Sequence, residues 1–145
     1  MSQTENVRNE SNLSKQNYNT EKLALWDITT KKDIFENETA GEFTAKLGTV
    51  VARNSSGNLV PINVAAADGT QIPFGVVMAD YVYDASASGP ITVIVGGRIT
   101  ESMVIVPGGD LDTIVDNRTV RDLLASETLG IQTINSVDNS DYDNQ

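Results

Sequence analysis

From Phe43 onward, apolar and polar residues follow a period of two. Phe43, Ala45 and Leu47 alternate with Thr44 and Lys46, which predicts a half-buried strand running on through Val50-Val51-Ala52. Asn54-Ser55-Ser56-Gly57 supplies turn chemistry, and Asn58-Leu59-Val60-Pro61-Ile62 reads as the returning strand. Pro61 has no N–H to donate and puts that strand at an edge or marks its end. Residues 65–70, with Asp68-Gly69, read as a loop. Phe74-Gly75-Val76-Val77-Met78-Ala79 is apolar on both faces and is expected at the buried centre of a sheet. After a turn over residues 84–89, Pro90-Ile91-Thr92-Val93-Ile94-Val95 predicts another strand, broken at Gly96-Gly97 and resumed from Arg98 to Val106, with Pro107-Gly108-Gly109 closing the run.

One helix is expected. Thr119-Val120-Arg121-Asp122 resembles a capping box with Asp in the place of Glu, and Val120, Leu123 and Leu124 share a helical face. Gly130 serves as the stop, and Ile131-Gln132-Thr133-Ile134 follows as a short last strand. The fold class that results is mainly β with one short helix, a β-sandwich or small barrel-like body.

The pattern fails at both ends. Residues 1–22 form a polar arm in which Val7, Leu13 and Tyr18 are the sizeable apolar side chains. Their spacings of six and five fit neither a helix stripe nor a strand face. Residues 135–145 form an acidic polar tail with Asp138, Asp141 and Asp143. Residues 23–134 are the expected body. It opens on Leu23-Ala24-Leu25-Trp26-Asp27-Ile28, an apolar patch of mixed period holding the single tryptophan, followed by a charged stretch over residues 29–40 that reads as a loop or an edge element. Trp26 fits first a core or lid position, and as the sharper alternative a contact anchor, since tryptophan is enriched at interface hot spots.

Composition narrows the chemistry. The 145 residues contain no Cys and no His, so thiolate nucleophiles, imidazole bases and Cys/His metal sites are excluded together. A formal charge of -10 repels phosphate backbones and argues against nucleic-acid binding. No apolar run approaches the roughly 20 residues of a membrane helix, and the first residues lack a signal-peptide pattern. Five Asn-x-Ser/Thr triplets (Asn9, Asn12, Asn37, Asn54 and Asn117) read as chance in an Asn-rich chain. The run from Asp138 to Asp143 looks like the start of a calcium loop but lacks the central glycine. Asp110, Asp112 and Asp116 could form a carboxylate cluster, but their surroundings read as a polar loop rather than the contrasting environments acid–base work needs. Neither Gly96-Gly97 nor Gly108-Gly109 is followed by a helix in phosphate-loop register. The chain therefore reads as a structural protein, not an enzyme, with no cofactor or metal.

The block Gly48-Thr49-Val50-Val51-Ala52, then Ser56-Gly57-Asn58-Leu59-Val60-Pro61, then Gly75-Val76-Val77 and a strand ending in Gly96-Gly97 resembles the head decoration proteins of the phage lambda type. The helix-then-strand ending from Thr119 to Ile134 is similar as well, so the resemblance covers roughly residues 41–134. A second glycine-punctuated group of phage cement proteins is a close competitor. The resemblance implies a capsid decoration protein, a homotrimer on the outer surface of the virion head assembled in the host cytoplasm, with the major capsid protein as partner. It further implies an arm that orders on the shell. On this reading the arm pairs with a strand edge of the capsid protein, and Val7, Leu13, Tyr18, Leu23 and Trp26 fill pockets there. The charged stretch at 29–40 and the acidic tail depart from the family pattern. A tail, baseplate or fibre protein of a phage stays open, as does, more distantly, a carbohydrate-binding or hydrolytic β module.

Overall fold

The computed structural model describes residues 22–126 and 129–135. Ten strands and one short helix occur in it: β1 (Ala24–Glu36), β2 (Phe43–Ala45), β3 (Val50–Arg53), β4 (Leu59–Pro61), β5 (Gly75–Val77), β6 (Tyr81–Tyr83), β7 (Ser88–Thr100), β8 (Ile114–Val115), β9 (Arg118–Thr119), α1 (Val120–Leu124) and β10 (Ile131–Ile134). The fold is mainly β with one short helix, as the pattern predicts.

The main sheet runs β1-β4-β3-β5-β7-β10, and β1 also pairs with β7. Five strands thus close into a ring, which gives the barrel-like form of the expected body. β1 closes it by two unequal contacts: an antiparallel ladder along nearly all of β7, and a single parallel pair, Phe35 with Leu59, to β4. β10 extends the other edge of β7 beyond the β5 contact, pairing Ile131–Ile134 with Gly97–Thr100 in parallel.

Both faces of this sheet are covered, which is why β3 and β5 are apolar without alternation. Val50, Ala52, Val76 and Ile94 join one cluster with Leu23, Ile99, Val120, Leu124 and Ile131. Their neighbours Val51, Val77 and Val93 join a second cluster with Phe35, Leu59, Tyr83 and Ile91. In the second cluster Phe35 stacks on Tyr83 at 4.8 Å and on Phe43 at 5.8 Å between ring centroids. The small β2–β6 sheet supplies Phe43, Ala45 and Tyr83 to this cluster. Burial, and secondarily Tyr81 beside it, push the Tyr83 phenol up to about 12, so it stays a neutral donor to the Pro90 carbonyl at 2.9 Å.

Of its two expected forms the charged stretch from Thr29 takes the edge element: it is strand as far as Glu36, held by β7 rather than by its own apolar content. Other local expectations are corrected. Gly96-Gly97 does not break its strand; β7 runs through both. Gly97 has φ +112 and Asp27 opposite has φ +59, and the register shifts around Trp26 and Thr29 are the bulges these residues absorb. A side chain at Gly97 would meet the Asp27 carbonyl, so glycine is required there by space as well as by φ. The strand from Phe43 ends at Ala45, and a turn at Leu47-Gly48 separates it from β3. Past Thr100 a 3-10 turn over Glu101–Met103 ends β7, leaving Ile105 to bridge Thr49 alone. At α1 the capping residue is as expected: the Thr119 hydroxyl accepts from the Asp122 amide, and Val120 and Leu124 are buried.

Candidate functional site

The loop carboxylates are each engaged by a local partner. Asp110 accepts from the Asp112 amide at 2.9 Å and its own amide donates to Thr113 Oγ1 at 2.9 Å, so it shapes its loop. Asp112 pairs with Arg121 at 3.3 Å, and Asp116 accepts from Gln71 Nε2 at 3.2 Å. The three residues are thus divided among separate structural partners. Arg121 also donates to Glu101 at 2.7 Å and to Thr133 Oγ1 at 3.0 Å, tying α1 to β10 and to the turn after β7. Among the described residues no group of three or more acidic side chains is placed to hold a metal ion. The calcium-like run from Asp138 lies outside the described residues. Asn37, one of the Asn-x-Thr positions, is 2% exposed and its amide is used inside the protein.

The surface offers a different kind of site. Thr100, at the end of β7, is where both ends of the described chain meet. Its amide donates to the Leu23 carbonyl at 2.9 Å, its hydroxyl donates to the Lys22 carbonyl, and it stands in register with Ile134 on its other side. The two ends of the described body, at residues 22 and 135, therefore lie at one pole, on opposite edges of β7. The reason is local: β1 is antiparallel to β7 and begins at its end, whereas β10 is parallel to β7 and finishes there.

Of the five residues expected to touch a partner, Val7, Leu13 and Tyr18 lie outside the described residues. Leu23 is 4% exposed and packs in this chain's own core, where it anchors the start of β1 rather than offering a side chain outward. Trp26 is 49% exposed, so the core or lid position does not hold for it. It pairs with Arg98 in the ladder beside the bulge at Asp27, and the Arg98 guanidinium, held by Asp27 at 2.9 Å, lies 5.9 Å from the ring centroid.

The feature that sequence reasoning left open, between a loop and an edge element, is β1 itself. Between Ala24 and Ile34 its outer edge has no strand partner among the described residues, and Thr29, Thr30, Lys31 and Lys32 are exposed. The available signal was the β-branched pair Thr29-Thr30 ahead of Ile34-Phe35, masked by the lysines between them. Asp33 fixes this strand to the body by a 2.6 Å ion pair with Arg53, whose guanidinium lies 4.0 Å from the Phe74 ring centroid. Burial pushes the Asp33 carboxyl up, but the bonds from Arg53 and the Ile34 amide and the charges of Arg53 and Lys31 outweigh it and hold it below the ordinary aspartate value.

No curated protein matches the chain. The family model of the bacteriophage lambda head decoration protein D matches residues 38–126, a span that includes β2 through α1 and leaves β1 and β10 outside. With the match covering more than half of its length, the chain belongs to the bacteriophage lambda head decoration protein D family, structural proteins of the phage capsid.

Proposed function

We propose that this decoration protein binds the outer surface of the phage head as a homotrimer, contacts the major capsid protein through its arm, and stabilises the shell. The family match carries the reading, and the position of both ends of the described body at one pole supports it. With one pole turned to the shell, the arm of each copy can reach the capsid without crossing the body. Residues 1–22 act as the arm, 23–134 as the body and 135–145 as the tail.

In this arrangement main-chain pairing supplies affinity, and Val7, Leu13 and Tyr18 fill pockets, with Trp26 at the base of the arm. Leu23 does not take part, because it already fills the body's own core. Ordering about twenty residues costs conformational entropy, which three arms acting together offset by raising the effective concentration of each. The test is co-sedimentation of the full chain and of a chain lacking residues 1–20 with empty mature shells, with circular dichroism as the folding control. Full-length protein is expected to bind at shell-lattice stoichiometry and the truncated body to bind weakly. Equal binding by the folded, arm-less protein would move the contact to the β body, and occupancy of tail sites alone would reject shell decoration.

A further inference from the structure

The outer edge of β1 is a strand edge that the family match does not reach, since the match begins at residue 38. Eleven residues of strand, Ala24 to Ile34, present unpaired main-chain groups on that side among the described residues. Such an edge is a template for one more strand unless something blocks it. Asp27 pairs with Arg98 at 2.9 Å, and Asp33 pairs with Arg53 at 2.6 Å and more loosely with Lys31 at 3.9 Å, so the two carboxylates are outnumbered by Arg53, Arg98, Lys31 and the exposed Lys32, a local positive excess on a chain of net charge -10. An extended acidic segment fits this edge. The chain has one: residues 136–145, with Asp138, Asp141 and Asp143.

Reach decides whose segment it is. To arrive at the outer edge of β1 within the same molecule, the chain leaving β10 must cross three strand spacings, about 14 Å, and Lys31 then lies about 23 Å further along, seven residues from Thr100 on the β7 scale. Asp143 is eight residues past Asn135, a contour of about 26 Å, so after the crossing only about 12 Å would remain. A second copy is free of that crossing.

Resting on the homotrimer reading, we propose that residues 136–145 of one copy add as a strand to the outer edge of β1 in the next, with their aspartates facing Lys31 and Lys32. The contact is head-to-tail, and three such contacts close a ring. It divides labour between the two ends that share a pole: the arm is left for the capsid protein, and the tail joins copy to copy.

Because the chain has no cysteine, the contact can be tested by crosslinking full-length protein. Two preparations, Thr30→Cys and Asp141→Cys, are mixed in solution and on empty mature shells, then oxidised and run without reductant. Two-chain product above the level of either preparation alone is expected, falling several-fold when Lys31→Glu and Lys32→Glu are added and recovering when Asp138→Lys and Asp143→Lys are placed on the partner. Both lysines are exposed, and Arg53 keeps Asp33 paired at 2.6 Å when Lys31 loses its 3.9 Å contact, so the fold is expected to stay intact by circular dichroism. A yield unchanged by charge reversal would show that the lysines only protect the edge, and overturns the proposal. So does a one-chain closed product from the doubly substituted chain Thr30→Cys, Asp141→Cys. Three copies grouped on the shell in a microscopy map without the crosslink reject this contact and leave the trimer standing, whereas isolated single copies reject the trimer itself.

Discussion

At Asn37 the protein buries an amide and uses it fully. Nδ2 donates to the carbonyls of Gly41 at 2.9 Å, Asp84 at 2.9 Å and Tyr83 at 3.3 Å, while Oδ1 accepts from the amide and hydroxyl of Thr39. Asn37→Ala leaves several of these groups without a partner and is expected to cost about 2–3 kcal/mol in urea unfolding. Gly97 and Gly57 make a second comparison. Both have positive φ, but a side chain meets nothing at Gly57 and meets the Asp27 backbone at Gly97. Gly57→Ala should therefore cost about 1 kcal/mol, and Gly97→Ala clearly more, with the register of β1 on β7 disturbed in amide exchange. Asp33 sets a pH dependence. Its carboxyl titrates lower in the folded protein than in the unfolded chain, so its contribution is present above about pH 4 and is lost as pH falls through the folded value. Arg53→Met should make the acid limb of the stability curve shallower, and an unchanged limb would assign acid unfolding to other carboxyls.

Among the elements, β1 matters most to the body despite its exposure. Phe35 is fully buried, stacks on Phe43 and Tyr83, and holds the only described pair between β1 and β4. Phe35→Ala is expected to cost about 3–5 kcal/mol. Truncation makes the same point: removing residues 1–20 should leave the melting temperature almost unchanged, while removing residues 1–36 should abolish cooperative unfolding, because it takes away Leu23, Phe35 and the long ladder on β7. A body that still melts cooperatively without β1 would make that strand an accessory. The short helix works the other way round. Five residues cannot hold a helix in water, and α1 persists because Val120 and Leu124 are buried and Thr119 caps it.

For the whole molecule, the loop carboxylates are engaged one by one in separate local contacts. Asp110→Asn, Asp112→Asn and Asp116→Asn together keep the acceptor oxygens that the Asp112 amide and Gln71 use, and weaken one exposed ion pair worth less than about 1 kcal/mol. Shell binding by the triple variant is expected to equal that of the parent chain at the same folded concentration. Lost binding in a folded variant would reveal a site in that loop.

How much of this was legible before folding depends on where the information lies. Alternation and turn residues were enough for β3, β4, β5, β10 and the Thr119 cap, because those signals are local: a β-branched run, an Asn-Ser-Ser-Gly turn, a hydroxyl three residues ahead of an amide. The same local rules missed the hairpin β8–β9, whose Asp116-Asn117 turn places both residues at positive φ without a glycine to announce it. They left β1 undecided between loop and edge element for a stronger reason. Thr29-Thr30-Lys31-Lys32-Asp33 has little apolar content, and it is a strand because β7, some sixty residues later, offers it a full ladder. By itself the sequence determined the strand-rich class, the apolar core and the absence of Cys and His chemistry, since composition and period are properties of neighbouring residues. Only the tertiary structure decided that the body closes into a ring, that Leu23 turns inward while Trp26 turns outward, and that both ends of the described body lie at one pole. Each of those depends on register between segments far apart in the chain, and register is set by packing two covered faces at once rather than by any residue's own preference.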